Sequence, residues 1–186
     1  MDAMTLLHER SSMGKLMGPA PNAEQLDALY RAALRAPDHK ELTPWRFIEF
    51  SGEGLARLGE LFAEAEYREN PHIDDASLDA ARKKPKRAPM IIAVIAKVTP
   101  DLPKVPKLEQ VISAGCAAHA MMLAAYAQGL GAMWRTGHYA FDKTVHKGLR
   151  LGEHDEIVGF LYLGQLGGRH KLLPSRDPKD FVERWN

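Results

Sequence analysis

The chain has 186 residues, 45% of them hydrophobic, which is enough to bury a core of its own. Lysine and arginine number 25 against 24 for aspartate and glutamate, and the net charge of +1 excludes a broad field attracting nucleic acid or an anionic membrane. The single cysteine, Cys116, excludes an intramolecular disulfide and suits a reducing compartment. We therefore expect one domain, residues 1–186, in the cytoplasm.

The N-terminus and the hydropathy of the chain predict neither export nor insertion. The first ten residues, MDAMTLLHER, carry charges in the wrong order for a secretory signal. By its hydropathy pattern, no apolar stretch is expected to approach the length of a membrane span. Neither a membrane nor a nucleic acid is expected as a partner.

The first third of the chain predicts two helices and a strand. The pattern of residues 2–9 is helical. Asn22 and Gln25 have the spacing of a capping box, and they predict a second helix that Pro37 ends. A short strand is predicted at residues 45–50.

The middle of the chain predicts a helical pair followed by a buried strand. Amphipathic patterns indicate helices at residues 55–65 and 76–84, joined by a polar segment at 67–75. Residues 90–96, MIIAVIA, form an apolar run rich in β-branched side chains. Such a run is typical of a strand buried on both faces, so we expect it in the middle of a sheet.

The longest predicted helix covers residues 105–128, and small side chains crowd its interior. This composition allows another backbone to approach closely. Gly129 and Gly131 follow it and predict its end.

The remaining chain predicts a strand at residues 132–135, a helix at 141–149 and a strand at 157–163. From Gln165 onward the sequence is basic, contains proline and predicts irregular structure. No internal repeat or low-complexity segment occurs.

Three polar clusters lie at the ends of predicted elements: Arg10-Ser11-Ser12, residues 35–40 and Trp134-Arg135-Thr136-Gly137. A phosphomonoester needs arginines, hydroxyls and free backbone N–H groups, which the first and third clusters supply. An isoalloxazine ring needs apolar walls and backbone donors near its N5 and O4 atoms.

Each of these signals has an ordinary structural interpretation when it is taken alone. An arginine at a helix end, such as Arg10 or Arg35, often neutralises the helix C-terminus. His39 is typical of a solvated turn, and Trp134 of a core. Only the combination of the clusters favours a ligand site.

Four motifs occur in an order that resembles the nitroreductase family. They are Arg10-Ser11-Ser12, residues 35–40 with Pro44-Trp45, Ser113-Ala114-Gly115-Cys116-Ala117, and Met133-Trp134-Arg135-Thr136-Gly137. The likeness is to the family's short bacterial, YdjA-like branch, and it runs from Met1 to Gln165. It implies an α+β fold with three α/β/α layers, a central, mostly antiparallel sheet and a long central dimer helix.

The resemblance also implies a site for FMN in a cleft between two copies of the chain. Arg10, Ser11 and Ser12 correspond to the family's ligands for the FMN phosphate and ribityl chain. Arg35 and His39 correspond to a loop that the partner subunit supplies, and either of them could stabilise charge on the flavin. Trp134, Arg135 and Thr136 correspond to the segment beside the flavin ring, with backbone groups near Thr136 and Gly137 facing N5.

A nicotinamide site is implied at the end of the long helix, at Ala124, Ala125, Tyr126, Ala127, Gln128 and Gly129. The chain departs from the family in two places. Gly14 stands where most members have a basic residue, with Lys15 one position late. The chain is also too short for the full C-terminal arm that larger members wrap around the partner, so Arg135 is expected to take over part of the phosphate binding.

The implied activity is FMN-dependent oxidation of NAD(P)H by a homodimer. A hydride passes to flavin N5, and a nitroaromatic or quinone-like acceptor then takes the electrons in a ping-pong cycle. No protein side chain is required as a catalytic nucleophile. Two alternatives remain open: an FMN-binding carrier or sensor dimer with little turnover, and a helical interaction protein without a cofactor.

The sequence lacks the motifs that are typical of metal sites and of dinucleotide-binding folds. No metal-binding histidine or cysteine spacing occurs, so no metal is expected, and no glycine-rich dinucleotide fingerprint follows a strand. Cys116 is expected to pack inertly, and His119 to lie in the core or at an interface.

Overall fold

A computed structural model describes residues 1–169 and 172–185. Within them lie six α-helices and five strands. The helices are α1 (Ala3–Glu9), α2 (Ala23–Ala33), α3 (Glu53–Glu69), α4 (Asp75–Lys83), α5 (Lys107–Ala127) and α6 (Lys143–Gly148). The strands are β1 (Leu16–Met17), β2 (Trp45–Ser51), β3 (Met90–Ala96), β4 (Leu130–Arg135) and β5 (Glu156–Leu166).

Side-chain caps fix the starts of the early helices where the sequence predicts them. The Asp2 carboxylate accepts hydrogen bonds from the backbone N–H groups of Met4 and Thr5 at 3.0 and 3.1 Å. Asn22 and Gln25 form the predicted capping box, each side chain accepting from the other residue's backbone N–H. These bonds satisfy N–H groups that have no partner inside the helix.

The strands form one antiparallel sheet in the order β1-β5-β3-β2, with β4 paired to β5. β3 lies between β5 and β2, and all seven of its residues are buried. The predicted position of residues 90–96 in the middle of the sheet is therefore confirmed.

Helices cover both faces of the sheet, which gives the three predicted layers. On one face, Leu58 and Phe62 of α3 pack against Phe160 and Tyr162 of β5. On the other, α2 and α5 pack against the alternate residues of the strands, including Leu161. The period of two along each strand divides its side chains between two cores.

Helix α5 is apolar because it packs against α2 and the sheet. By length and composition it could cross a membrane, so the expectation that no stretch approaches that length is wrong. Its most apolar 18-residue window is 44% buried inside the fold. A core helix of a globular protein meets the same test.

Several boundaries differ from those predicted. The sequence does not predict β1, which has two residues and exists through its pairing with residues 165 and 166. α3 continues four residues beyond the predicted end, to Glu69, and α6 begins at Lys143 after a 3₁₀ turn at His138–Ala140. β5 extends to Leu166, and the described residues after it are irregular except for a 3₁₀ turn at Pro178–Asp180.

Candidate functional site

The Arg10 segment, residues 10–13, leaves α1 and runs beside β4. The Arg10 backbone N–H donates to Leu6 O at 3.1 Å and closes the helix. The Arg10 Nη1 atom donates to Ser12 Oγ at 3.4 Å, so these two side chains point to the same place. Ser11 is buried, with its Oγ 4.0 Å from Met13 Sδ. The Ser11 hydroxyl is thus turned towards the protein interior, unlike the side chains on either side of it.

A single backbone hydrogen bond joins this segment to β4. Met13 N–H donates to Ala132 O at 2.9 Å, on the side of β4 that β5 does not use. In an antiparallel strand, the N–H and C=O of one residue point to the same side, and successive residues alternate. Trp134 therefore directs both backbone groups to that side. We call these groups the free edge of β4.

The Trp134 side chain is wedged between β5 and α5. Its Nε1–H donates to Val158 O at 3.2 Å. A Cβ atom on Gly159 would lie 2.2 Å from Trp134 Nε1, so the indole occupies the space that only a glycine leaves. At its far end the ring is 3.9 Å from the Cβ position of Gly115. The indole therefore packs against the core, and the Trp134 backbone remains on the free edge.

Arg135 carries an orphaned polar atom. Its Nε is buried and has no hydrogen-bond partner. The guanidinium carbon lies 5.5 Å from the centre of the Tyr162 ring. Burial raises the pKa of Tyr162, and the positive charges of Arg135 and Arg87 oppose that rise. A buried donor without a partner costs free energy, which an acceptor supplied by a ligand would recover.

Thr136 begins the loop that follows β4. It is exposed, and Gly137 continues the chain with φ of 60°, a conformation that favours glycine. An apolar cavity of about 540 Å³ opens beside Thr136. Its lining consists mainly of Leu108, Val111, Phe141, Ile157 and Val158, with Lys107 and Glu156 also present.

The turn that carries Arg35 and His39 is held against α5 instead. His39 Nδ1 lies 2.9 Å from Glu109 Oε2, with both side chains about half exposed. Ser113 Oγ donates to Pro37 O at 2.6 Å. The Asp38 carboxylate accepts from two backbone N–H groups of the same turn, at 3.1 and 2.6 Å. In the described chain, the hydrogen bonds and the ion pair that tie this turn to other elements go to α5 and to Pro103 O, and not to the Arg10 segment.

The residues of the implied nicotinamide site lie at the C-terminal end of α5. Ala125 is fully buried, and Gln128 donates from its side-chain amide to Gln25 O and Ala124 O at 3.4 and 3.1 Å. Gly129 ends the helix with φ of 74°. β4 then runs from there to Thr136, a separation of roughly 20 Å at the usual rise per strand residue. Within one protomer, the two predicted sites are therefore at opposite ends of β4.

His119 and Cys116 lie on α5. His119 is exposed, so the suggestion that it lies in the core is wrong, whereas the interface remains a prediction. Cys116 is a free thiol and partly buried.

A cluster that the sequence does not predict lies behind the Thr136 loop. Its members are Glu66, Glu69 and His138, and their carboxylate oxygen and imidazole nitrogen atoms, which are of the kind that bind metal ions, lie within 4.8 Å of one another. Lys84 Nζ lies 3.2 Å from Glu66 Oε1 and already supplies a positive charge there. These groups come from α3, the end of α4 and the loop, and no motif links them in the sequence.

Comparison with known proteins identifies the family. A model described as the nitroreductase family matches residues 7–165. The chain belongs to the nitroreductase family. It is 46% identical over 164 residues to "Putative NAD(P)H nitroreductase YdjA" of Escherichia coli (strain K12), and 88% of each chain is covered. The predicted family and its YdjA-like branch are thereby confirmed.

Solved structures of nitroreductases share the fold. The nitroreductase-like family protein from Bacillus cereus has a TM-score of 0.83 and 21% identity, covering 100% of this chain and 96% of that one. A nitroreductase with bound FMN from Bacteroides fragilis NCTC 9343 has a TM-score of 0.74 and 19% identity, covering 100% of both chains. The α+β nitroreductase-like fold predicted from the sequence is confirmed.

Proposed function

We propose that the chain is an FMN-dependent NAD(P)H oxidoreductase that passes electrons to nitroaromatic or quinone-like acceptors. Membership of the nitroreductase family supports the reaction class. The name of the Escherichia coli relative supports NAD(P)H as the electron donor, and the FMN bound to the Bacteroides fragilis nitroreductase supports FMN as the cofactor.

The observation that carries the proposal is the position of the Arg10 segment beside the free edge of β4. The segment offers a guanidinium and a hydroxyl that point together, and the edge offers backbone donors and acceptors beyond the bond between Met13 and Ala132. The buried, unpartnered Nε of Arg135 is a further donor on the same strand. A phosphate needs the first set of groups, and the polar edge of an isoalloxazine ring needs the second.

The individual roles follow from these positions. Arg10 and Ser12 bind the phosphate with their side chains, and Arg135 supplies a second positive group. Ser11 contributes through its backbone, because its hydroxyl faces Met13. Trp134, Thr136 and Gly137 present backbone groups to the flavin ring, and the fixed indole of Trp134 keeps the end of β4 rigid.

A second copy of the chain completes the site in this proposal. Arg35 and His39 are exposed on a turn that α5 holds away from the Arg10 segment, so they are available to another protomer. A homodimer with FMN at its interface brings the two sets of residues together. His39 and Arg35 then add hydrogen-bond donors and positive charge on the far side of the flavin.

The chemistry belongs to the cofactor. Held by the Arg10 segment and the end of β4, FMN would supply the two-electron chemistry that links oxidation of NAD(P)H to reduction of the second substrate in a ping-pong cycle. The protein binds the cofactor and the substrates, orients them and excludes water from the site, so no side-chain nucleophile is needed. The apolar cavity beside Thr136 suits a flat aromatic acceptor, because such a surface gains most from removal from water.

Flavin binding by an Arg10→Ala variant tests the proposal. Loss of a hydrogen bond to a charged group should weaken FMN binding by about 1.5 to 3 kcal/mol. Arg57→Ala, which removes an exposed arginine from α3, should leave the dissociation constant unchanged. Isothermal titration with FMN measures both values. Equal affinity of the Arg10→Ala variant and the wild type would remove Arg10 from the site.

Turnover separates an enzyme from a flavin carrier. The FMN-loaded protein should oxidise NADH or NADPH rapidly when a quinone or nitroaromatic is added. Double-reciprocal plots of the initial rate at several acceptor concentrations should give parallel lines, as a ping-pong cycle requires. A protein that binds FMN but scarcely turns over would be a carrier or sensor. A colourless protein that takes up no FMN would refute both functions.

A further inference from the structure

Four side chains meet behind the loop that follows β4. We call Glu66, Lys84, His138 and Tyr139 the Tyr139 clamp. The Tyr139 hydroxyl donates to Glu66 Oε1 at 2.6 Å and accepts from Lys84 Nζ at 2.6 Å. Lys84 Nζ and His138 Nε2 each lie 3.2 Å from the same Glu66 oxygen. The clamp therefore joins the loop to α3 and to the end of α4.

Packing holds the Tyr139 ring as firmly as the hydrogen bonds hold its hydroxyl. Tyr139 is 6% exposed, and its ring stacks on Phe62 of α3, with centroids 3.9 Å apart and an interplanar angle of 1°. Lys84 Nζ lies 4.5 Å from the ring centroid. A buried aromatic ring with both a stacked partner and a satisfied hydroxyl has little freedom to move.

The rest of the loop is tied on its other side. His146 Nε2 lies within hydrogen-bond distance of Ala140 O, at 2.9 Å. Ala140 N–H also donates back to Gly137 O at 3.4 Å. The three-residue turn that starts one residue after Gly137 is therefore fixed to α3, α4 and α6, while Thr136 at its front is exposed.

Charge in the clamp is arranged to keep Glu66 ionised. The hydrogen bond from Tyr139, assisted by Lys84, holds the pKa of Glu66 below its ordinary value, against the effect of burial. Burial and the hydrogen bond to Glu66 raise the pKa of Tyr139, so the hydroxyl keeps its proton. Glu66 remains a hydrogen-bond acceptor, and Tyr139 remains a donor, across the physiological range.

We propose that the Tyr139 clamp positions the backbone of Thr136 and Gly137 against the flavin. The inference rests on the proposed function, which assigns those backbone groups to the flavin ring. Backbone donors that stabilise charge must be held within about half an ångström of the productive geometry. A glycine-containing loop is too flexible to keep that position without contacts from the surrounding structure. The clamp residues do not touch the cofactor in this proposal; they act through the loop.

Tyr139→Phe tests the clamp, because it removes the hydroxyl and keeps the ring on Phe62. Amide exchange of residues 136–140 in the flavin-free protein should become at least tenfold faster. The midpoint potential of bound FMN should fall by about 30 mV, which corresponds to tenfold weaker binding of reduced relative to oxidised FMN. Tyr67→Phe, an exposed tyrosine on α3, is the matched control and should change neither value.

Lys84 provides a second, independent test. Lys84→Met should reproduce both effects of Tyr139→Phe, and Lys84→Arg should restore most of the potential, because it keeps a donor for Tyr139 and a charge for Glu66. A yellow Tyr139→Phe protein with wild-type exchange and wild-type potential would overturn the clamp proposal alone. A wild-type protein that takes up no FMN would overturn the proposed function and the clamp proposal with it.

Discussion

The space over Gly159 yields the sharpest prediction about stability. The Trp134 indole fills the position of a side chain at residue 159, where a Cβ would lie 2.2 Å from Nε1 and 2.6 Å from Cδ1. Gly159→Ala must therefore displace the indole. The displacement breaks the hydrogen bond from Trp134 Nε1 to Val158 O, which now measures 3.2 Å.

The expected cost follows from two terms. Forcing one extra methyl group into a packed core costs about 1 to 3 kcal/mol. The lost hydrogen bond adds about 0.5 to 1.5 kcal/mol. Gly159→Ala should therefore lower the free energy of unfolding by about 1.5 to 4.5 kcal/mol. Under the proposed function it should also weaken FMN binding, because Trp134 lies on the free edge of β4.

Gly115→Ala is the matched control, since a Cβ there meets the same indole at an ordinary 3.9 Å. Alanine is also preferred to glycine inside a helix by about 0.5 to 1 kcal/mol, so this variant should unfold at equal or higher urea concentration. In a Trp134→Ala background, Gly159→Ala should cost less than about 0.5 kcal/mol. An unchanged unfolding midpoint for Gly159→Ala, or the same cost with and without the indole, would refute the steric conflict.

Two further predictions concern a helix cap and an ionisable group. Asn22→Ala should lower the free energy of unfolding by about 1 kcal/mol, because it removes the cap of α2, whereas Glu24→Ala on the exposed first turn should change it little in the same urea titration. Glu66→Gln should make the free energy of unfolding depend less on pH in the acid range. The Glu66 carboxyl has a pKa below the ordinary 4.5, so its stabilisation is full above that pH and is lost as the pH falls through the lowered value. The difference in unfolding free energy between wild type and Glu66→Gln should therefore shrink in acid, and a difference that stays constant as the pH falls from neutral into the acid range would contradict this role of the carboxylate.

Local sequence patterns are sufficient to predict a helix or strand wherever one short segment determines that element. The capping box of Asn22 and Gln25, and the buried run of β3, lie where the sequence predicts them. β1 has no such local signal, because its two residues are a strand only through their partners in β5. The early predicted end of α3 has a similar cause, since Glu66 continues the helix while its side chain bonds Lys84 and Tyr139.

The sequence predicts the separate residue clusters of the candidate site, but it does not predict how they are arranged in space. Composition and order point to the Arg10 and Trp134 clusters, and the structure brings these two together through Met13 and Ala132. The direction of the Trp134 indole into the core depends on Gly159 and Val158, which no motif connects to it. The Tyr139 clamp joins positions 66 and 84 to the adjacent residues 138 and 139, so its existence follows from tertiary packing alone.

The path of the chain after Met13 explains why part of β4 stays open. Leu16 crosses over Gly131, where a Cβ would lie 2.5 Å from Leu16 Cδ2, and then pairs with Leu166 of β5. After Met13 the chain therefore covers the beginning of β4 and runs away from Trp134. An uncovered strand edge exposes N–H and C=O groups that pair readily with other chains, and proteins normally protect it. Under the proposed function, this open edge lies beside Arg10, Ser12 and Arg135, whose side chains bind the phosphate of FMN. A bound phosphate-bearing cofactor accounts for both features at once, whereas a packing role for Arg10 accounts for neither.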